Sequence, residues 1–547
     1  MQRGKGNMKK VISIILSMIM VFTLTGCGKS SSNEKTFTYA SELDIKNLDS
    51  SDADDGMSFM AMHACIDGLM SADKNGKAIY AIAKKHTVSA DGMTHTFKLR
   101  DAKWSNGDEV TANDFVYAWR RIFKNNGNYA YMFSSDAASI TGADELMKKQ
   151  EDKEKITDKD LKTLGVKAID KKTLEVKTTR YISYFDELMA FPCYYPINEK
   201  FCKEQGSQYG KSPKNILSNG AFVMKTWNPG SKAVYEKNKD YWNAKNIKLD
   251  KLVFNLVVEP KVAATNYDSG KVDYATINSE LVDKYKGKKD YRTFKEGYLF
   301  YLSINFKNQY LANSNIRKAL SYAINREDFC DNVLKDGSFA AKGFIPSGLT
   351  TDDKGNDFRA SSPTYTGYDM TKAQQYFDAG LQELGVNNIT LSLTYGTDES
   401  PMDQMATYLQ NAFTKLNGLK IDMVATTKQD RIYNKQKNGD YDIALTRWGP
   451  DYSDPTTYLN LLLENNSNNY GKYSSTEYNN KMDEVKTLTD NTQRWKAMQD
   501  AEKICMDDYA VIPVFEKGTA TLLNPKKQGI IQRPVVVTTF NYIQVKK

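Results

Sequence analysis

Histidine is almost missing from this chain. Only His63, His86 and His95 occur in 547 residues, which leaves little material for imidazole acid–base relays or metal sites. Cysteine is scarce too, at six residues, with no Cys-x-x-Cys pair and no spacing that suits zinc. Gly-rich phosphate loops, Gly-x-Ser-x-Gly and His-Glu-x-x-His are all absent, so nucleotide hydrolysis, serine hydrolysis and zinc proteolysis lack their usual chemistry. No repeat of fixed period is found. Nor does charge of one sign gather anywhere. Lys and Asp/Glu interleave throughout, even in Lys148–Lys162, and this excludes a nucleic-acid footprint. Catalysis has no visible foothold, and no metal or cofactor is expected.

Long apolar runs are limited to one. Val11–Leu24 follows Lys9-Lys10 and is about 14 residues long, short of the roughly 20 that span a bilayer. A basic flank, a short apolar segment and small residues make a secretory leader. Leu24-Thr25-Gly26-Cys27 then resembles a bacterial lipobox. That resemblance implies cleavage before Cys27 and diacylglyceryl attachment to its sulfur, with a palmitate-type acyl anchor holding the protein at the outer face of the cell membrane. Two or three acyl chains suffice for stable attachment. Losing Arg3, Lys5, Lys9 and Lys10 with the leader brings the net charge from +8 to +4. The mature chain is long enough for two to four domains. Its 40% hydrophobic and 12% aromatic residues can furnish proper cores. Cys65, Cys193, Cys202, Cys330 and Cys505 remain; Cys193 and Cys202 either pair or, as chain size favours, stay buried free thiols.

Strand patterns dominate the first half. His95–Arg100 alternates, with Phe97 and Leu99 on one face. An Asn106-Gly107 turn follows. Thr111 can cap a helix with Asp114 at N3, and Phe115, Ala118, Trp119 and Ile122 form its core stripe. Val166–Ile169 and Leu174–Val176 flank Asp170-Lys171 as a hairpin. The second half alternates: strands at Phe300–Asn305, Ile389–Tyr395, Lys420–Val424 and Tyr441–Leu445, and helices at Met402–Lys415 and Thr492–Cys505. Ile316, Ala319, Leu320, Ala323 and Ile324 give a clean helical face between them. Alternation predicts an α/β fold with a mostly parallel sheet. Ligands in such sheets sit beyond the carboxyl ends of strands, which puts the loop Arg447–Pro455 in the favoured place.

Four segments in register resemble the peptide-binding family of extracytoplasmic solute-binding proteins: Lys103–Arg121, Asn219–Trp242, Leu299–Glu327 and Trp448–Asn460. The resemblance covers nearly all of the mature chain. It implies a periplasmic-binding-protein-like two-lobed clamshell with an extra subdomain in the first lobe. The boundaries it implies are a signal peptide over 1–26, a lipid-anchored tether over 27–35, and first-lobe segments at 36–66 and 208–298. The extra subdomain falls at 67–207, the second lobe at 299–524, and a return to the first lobe at 525–547. It further implies a monomer that closes on an oligopeptide and delivers it to the permease and ATPase subunits of an ABC importer. The peptide lies extended between the lobes, like an added strand.

In the family pattern Trp-x-x-Asp-Tyr-x-[Asp/Glu]-Pro, the first acid holds the peptide's α-ammonium group, and Asp451 occupies that place. A strand-end carboxylate beside Trp448 suits a cation on its own chemistry. Trp448 then reads as a cleft wall or as plain core, the cleft favoured, while Asp454-Pro455 reads as a structural helix start. Asp54 aligns with an acidic family position, though the cluster Asp49, Asp52, Asp54 and Asp55 reads equally well as a solvated loop. Tyr129 and Tyr131 lie near a cleft-lining family tyrosine. Arg447 departs from the pattern, placing a bulky cation where the family often has no side chain. Leu445 and Pro401 stand at positions that are basic in some members, so peptide length and preference do not follow from the resemblance. Two other readings stay open: a surface sensor or adhesin using the same clamshell, and a member that binds nickel, haem or another non-peptide solute.

Overall fold

The strands of two lobes join into one sheet. The computed structural model describes residues 34–73, 77–135, 137–352, 354–535 and 538–546; the leader, Cys27 and residues 28–33 lie outside the described residues. Eleven strands make up the main sheet. In spatial order they are Leu419–Thr426, Ile389–Gly396, Ile443–Trp448, Tyr291–Ile304, Val511–Leu523, Tyr274–Thr276, Thr36–Ala40, Lys251–Asn255, Lys232–Lys237 and Phe222–Asn228. The short strand Phe339–Ala340 adds onto Val511–Leu523.

Tyr291–Ile304 and Val511–Leu523 are the long strands that pass from one lobe to the other. Their register runs through Lys295 opposite Gly518, breaks, and resumes with Leu299 opposite Glu516. Three residues, Glu296 to Tyr298, therefore bulge against Lys517, and a bulge bends a strand. Gly297 adopts φ 78° there, and a Cβ on it would stand 2.6 Å from Pro534; only glycine fits. Opposite the bulge the second long strand supplies Lys517, and beyond it Thr521–Leu523 pairs with Tyr274–Thr276.

The expected mostly parallel sheet is in fact mixed. Ile389–Gly396 pairs in parallel with Leu419–Thr426 and Ile443–Trp448, but Tyr291–Ile304 runs antiparallel to both of its neighbours. A strand that enters the second lobe from the hinge must run against strands that end at the hinge. Apolar layers cover the second lobe's half of the sheet on both faces. One is built on Phe300, Leu302, Ile316, Leu320 and Leu393, the other on Leu299, Phe344, Tyr458 and Met498.

The extra subdomain is a four-stranded antiparallel sheet of Ala83–Val88, Thr94–Leu99, Thr173–Lys177 and Val166–Asp170. Phe97 and Leu99 are fully buried, as their alternation predicts. Helix Ala112–Lys124 starts at the Thr111 capping box, with the Thr111 N–H donating to Asp114 Oδ2 at 2.8 Å. Its stripe of Phe115, Ala118, Trp119 and Ile122 is buried. Cys193 and Cys202 do not pair; all five cysteines from Cys65 onward are buried free thiols.

Candidate functional site

Three parallel strands of the second lobe end at Gly396, Thr426 and Trp448, and Trp448 lies opposite Leu299, immediately past the hinge bulge. Whatever follows these strands therefore faces the cleft, the usual ligand position of such sheets. The strand expected at Tyr441–Leu445 actually spans Ile443–Trp448, because its last residues pair with Phe300 and Leu299. Arg447 and Trp448 thus belong to the strand, not to the loop.

The loop after Trp448 is held tightly. Gly449 lies against the Tyr298 ring, which any side chain there would strike. The Asp451 N–H donates to Thr457 Oγ1 at 3.1 Å. Tyr458 donates its hydroxyl proton to the Gly297 carbonyl at 2.5 Å, with the Trp448 carbonyl 3.2 Å away, so the site strand is tied to the hinge. Asp454 is structural: its Oδ1 accepts from the Thr456 N–H at 3.0 Å. It also receives a two-pronged pair from Arg494 at 2.6 and 3.0 Å. Burial opposes ionisation of Asp454, but Arg494 holds it below the usual carboxylate range. Between these, Tyr452 is buried within the first lobe's core and stacks face to face on Tyr184 at 4.7 Å. The loop bridges both lobes.

Asp451 sits where they meet. Burial pushes its carboxyl up to about 7, offset only in part by a hydrogen bond from the Tyr131 hydroxyl. Among the described residues no lysine or arginine pairs with it. Asp451 is half-buried; desolvation without a partner raises a carboxylate in this way, and a partly desolvated anion favours a cation beside it. It borders a cavity of about 320 Å³ lined also by Tyr129, Trp448, Arg447, Tyr298 and Tyr301. Tyr129 packs edge-on against Phe59 at 5.2 Å and lies 5.7 Å from the Tyr131 ring. Asp451, Trp448, Arg447, Tyr129 and Tyr131 therefore come together at one place. Asp54 stands apart: it is exposed, takes a hydrogen bond from Asn128 at 3.0 Å, and does not line the cavity. Its neighbours are spoken for, Asp49 by Arg121 and Asp55 as N-cap of helix Gly56–Cys65.

Residues 77–470 match the family model of the bacterial extracellular solute-binding proteins, family 5, middle region. The chain belongs to that family. The dipeptide-binding protein of Lactococcus lactis subsp. cremoris is 31% identical to this solute-binding protein, over 96% of its chain and 97% of the relative. The oligopeptide-binding protein OppA of Bacillus subtilis is 28% identical over 96% and 97%. Among solved structures, Listeria monocytogenes OppA bound to peptide superposes with a TM-score of 0.75 at 33% identity, covering 94% of this chain and all of that one. The two-lobed clamshell is the shared architecture.

Several lining residues of this solute-binding protein escaped the sequence reading. Glu399 follows strand Ile389–Gly396, and Lys428 and Arg431 follow Leu419–Thr426; all three line the cavity with Asn468 and Tyr470. The carboxyl-end rule that singled out Asp451 applies to those two strands as well. It is the one signal that could have found them.

Proposed function

We propose that this solute-binding protein captures peptides between its lobes by their α-ammonium group and delivers them to an ABC importer from a lipid anchor at Cys27. One observation carries the reading: Asp451 stands half-buried at the lobe junction, its carboxyl held up by desolvation, with no cation of the chain paired to it. An α-ammonium supplies that cation, and Tyr131 and Trp448 shape the space around it. The relatives named as dipeptide- and oligopeptide-binding proteins support the same ligand class. On this reading residues 36–298 with the C-terminal return form one moving body, and the second lobe forms the other.

Calorimetry on four combinations tests it: wild type and Asp451→Ala, each with trialanine and N-acetyl-trialanine at pH 7.5. Removing either partner leaves the other buried alone, which costs about 2–5 kcal/mol, or roughly 30- to 4,000-fold in affinity. The two losses should not add, since each removes half of one interaction. Independent, additive losses would show that the α-amine is held elsewhere.

A further inference from the structure

The outer face of helix Ala112–Lys124 is basic. Asn113, Tyr117, Arg120 and Lys124 recur three and four residues apart, so they share one face, opposite the core stripe of Phe115, Ala118, Trp119 and Ile122. Together with helices Asp158–Leu161 and Glu199–Gln205, that face frames a groove of about 620 Å³ in the extra subdomain. The groove has no lining residue in common with the cavity at Asp451. Arg120, Arg121, Lys124, Lys162 and Lys203 line it, with Asp158 and Glu199 to answer them.

Some of this charge is matched. Arg121 pairs with Asp49, Lys203 lies 2.6 Å from Glu199, and Lys124 lies 3.4 Å from Asp158. Asp160, on the same short helix as Asp158, is taken by Lys149 at 3.1 Å. With Asp49 counted, five cations meet three carboxylates, and among the described residues neither Arg120 nor Lys162 has a carboxylate partner. For Lys162, which is exposed, that is ordinary. Arg120 is half-buried, and burial disfavours its charge with no anion to offset it. Its Nη2 donates to the Val166 carbonyl at a long 3.4 Å, and its Nε is buried without a partner. A desolvated cation with an orphaned donor marks a place where an anionic acceptor belongs.

We infer that this groove is a second binding site, one that takes a phosphate group, with Arg120 as its receptor and Lys162 at its rim. A guanidinium fork bonds two phosphate oxygens at once, while a lysine adds charge without fixing geometry. The excess of two positive charges matches the about −1.5 to −2 carried by a phosphate monoester at pH 7. The volume leaves room for the group that bears the phosphate, and the half-buried Tyr117 ring on the same face offers it a surface. A soluble phosphorylated solute and a phospholipid headgroup both present this chemistry. Nothing in the inference depends on α-amine capture at Asp451.

Two probes test it at pH 7.5: sn-glycerol 3-phosphate by calorimetry, and vesicles of phosphatidic acid in phosphatidylcholine by sedimentation, against phosphatidylcholine alone. The protein is the mature chain carrying Cys27→Ser, so that no anchor holds it to a vesicle. Adding Arg120→Gln should weaken binding about 10- to 100-fold, the worth of a hydrogen bond between charged groups. Adding Lys162→Gln should weaken it about 2- to 5-fold. Binding of glycerol phosphate assigns a site open to soluble ligands; binding to the phosphatidic acid vesicles alone assigns a lipid headgroup. Either result supports the site. A parent chain that takes neither probe overturns the inference, as does Arg120→Gln binding as tightly as the parent. Lys162→Gln alters an exposed side chain and keeps the test open should Arg120→Gln fail to fold, since undiminished binding there also overturns the inference.

Discussion

The raised Asp451 carboxyl predicts an unusual pH dependence for a peptide that cannot supply the cation. In an open cleft Asp451 meets water and should titrate near the ordinary carboxylate value of about 3.9. In the structure, desolvation lifts it to about 7, and we take this as the value of the closed cleft. The closed form thus holds a proton that the open form has lost between roughly pH 4 and pH 7, and closing is favoured as pH falls through that window. N-acetyl-trialanine brings no cation, so it must be bound with Asp451 protonated. From the two values, its affinity should rise about 80-fold between pH 8 and pH 5, with about 0.9 proton taken up per peptide near pH 5.5. Trialanine keeps Asp451 ionised by pairing with it and should show no such gain. Asp451→Asn is neutral at every pH, so blocked-peptide binding should become flat. Titration calorimetry in buffers of different ionisation enthalpy reads both affinity and proton count. A flat wild-type profile, or the same slope in Asp451→Asn, would refute the reasoning.

Three further outcomes are expected. Cys27→Ser removes the sulfur that the proposed anchor would acylate and leaves a short polar tether with no apolar face, so cell fractionation should find the protein released; undiminished membrane partitioning would sink the anchor. Trialanine should lower the radius of gyration in small-angle scattering, because lobes joined by two crossing strands close around the hinge; no change at saturating peptide would count against closure. Arg494→Met strands Asp454 without its two-pronged partner, which should cost about 3–5 kcal/mol in urea unfolding, while a loss below 1 kcal/mol would mean the pair is dispensable.

The parts of the fold legible in the sequence were those with short-range causes. The Thr111–Asp114 cap and the stripe behind it depend on residues within three turns of one another, and helix Ser314–Tyr322 buries Ile316, Ala319 and Leu320 as their spacing demands. Asp451 was legible because a family pattern marks it and because it follows a strand. The strand itself was started two residues early and ended three residues early, since its end is set by pairing with Leu299 and Phe300, about 150 residues away. The same distance effect hid the antiparallel hinge strands. Glu399 and Arg431 were missed for a related reason: each is unremarkable in its own loop, and only the side-by-side arrangement of three strand ends makes them a buried pair. Asp54 is exposed and takes a hydrogen bond from Asn128, in a cluster where Asp49 pairs with Arg121 and Asp55 caps a helix.

Asp451 and Tyr452 are adjacent in sequence and opposed in effect. Tyr452 stacks on Tyr184 in the structure, a contact worth about 0.5–1.5 kcal/mol beyond the surface it buries, and on the proposed closing motion it would form as the lobes meet. The same proposed motion would desolvate the Asp451 carboxyl. Lifting it from about 3.9 to about 7 costs about 4 kcal/mol at neutral pH, more than the ring stack returns. An empty cleft at neutral pH is therefore held back by its own carboxylate. A ligand ammonium cancels that cost without touching the ring stack, so the aromatic contact, idle until then, begins to favour closure. Asn at 451 would lift the restraint and let the lobes meet unliganded; a carboxylate that no residue of the chain neutralises makes closure conditional on a cationic guest.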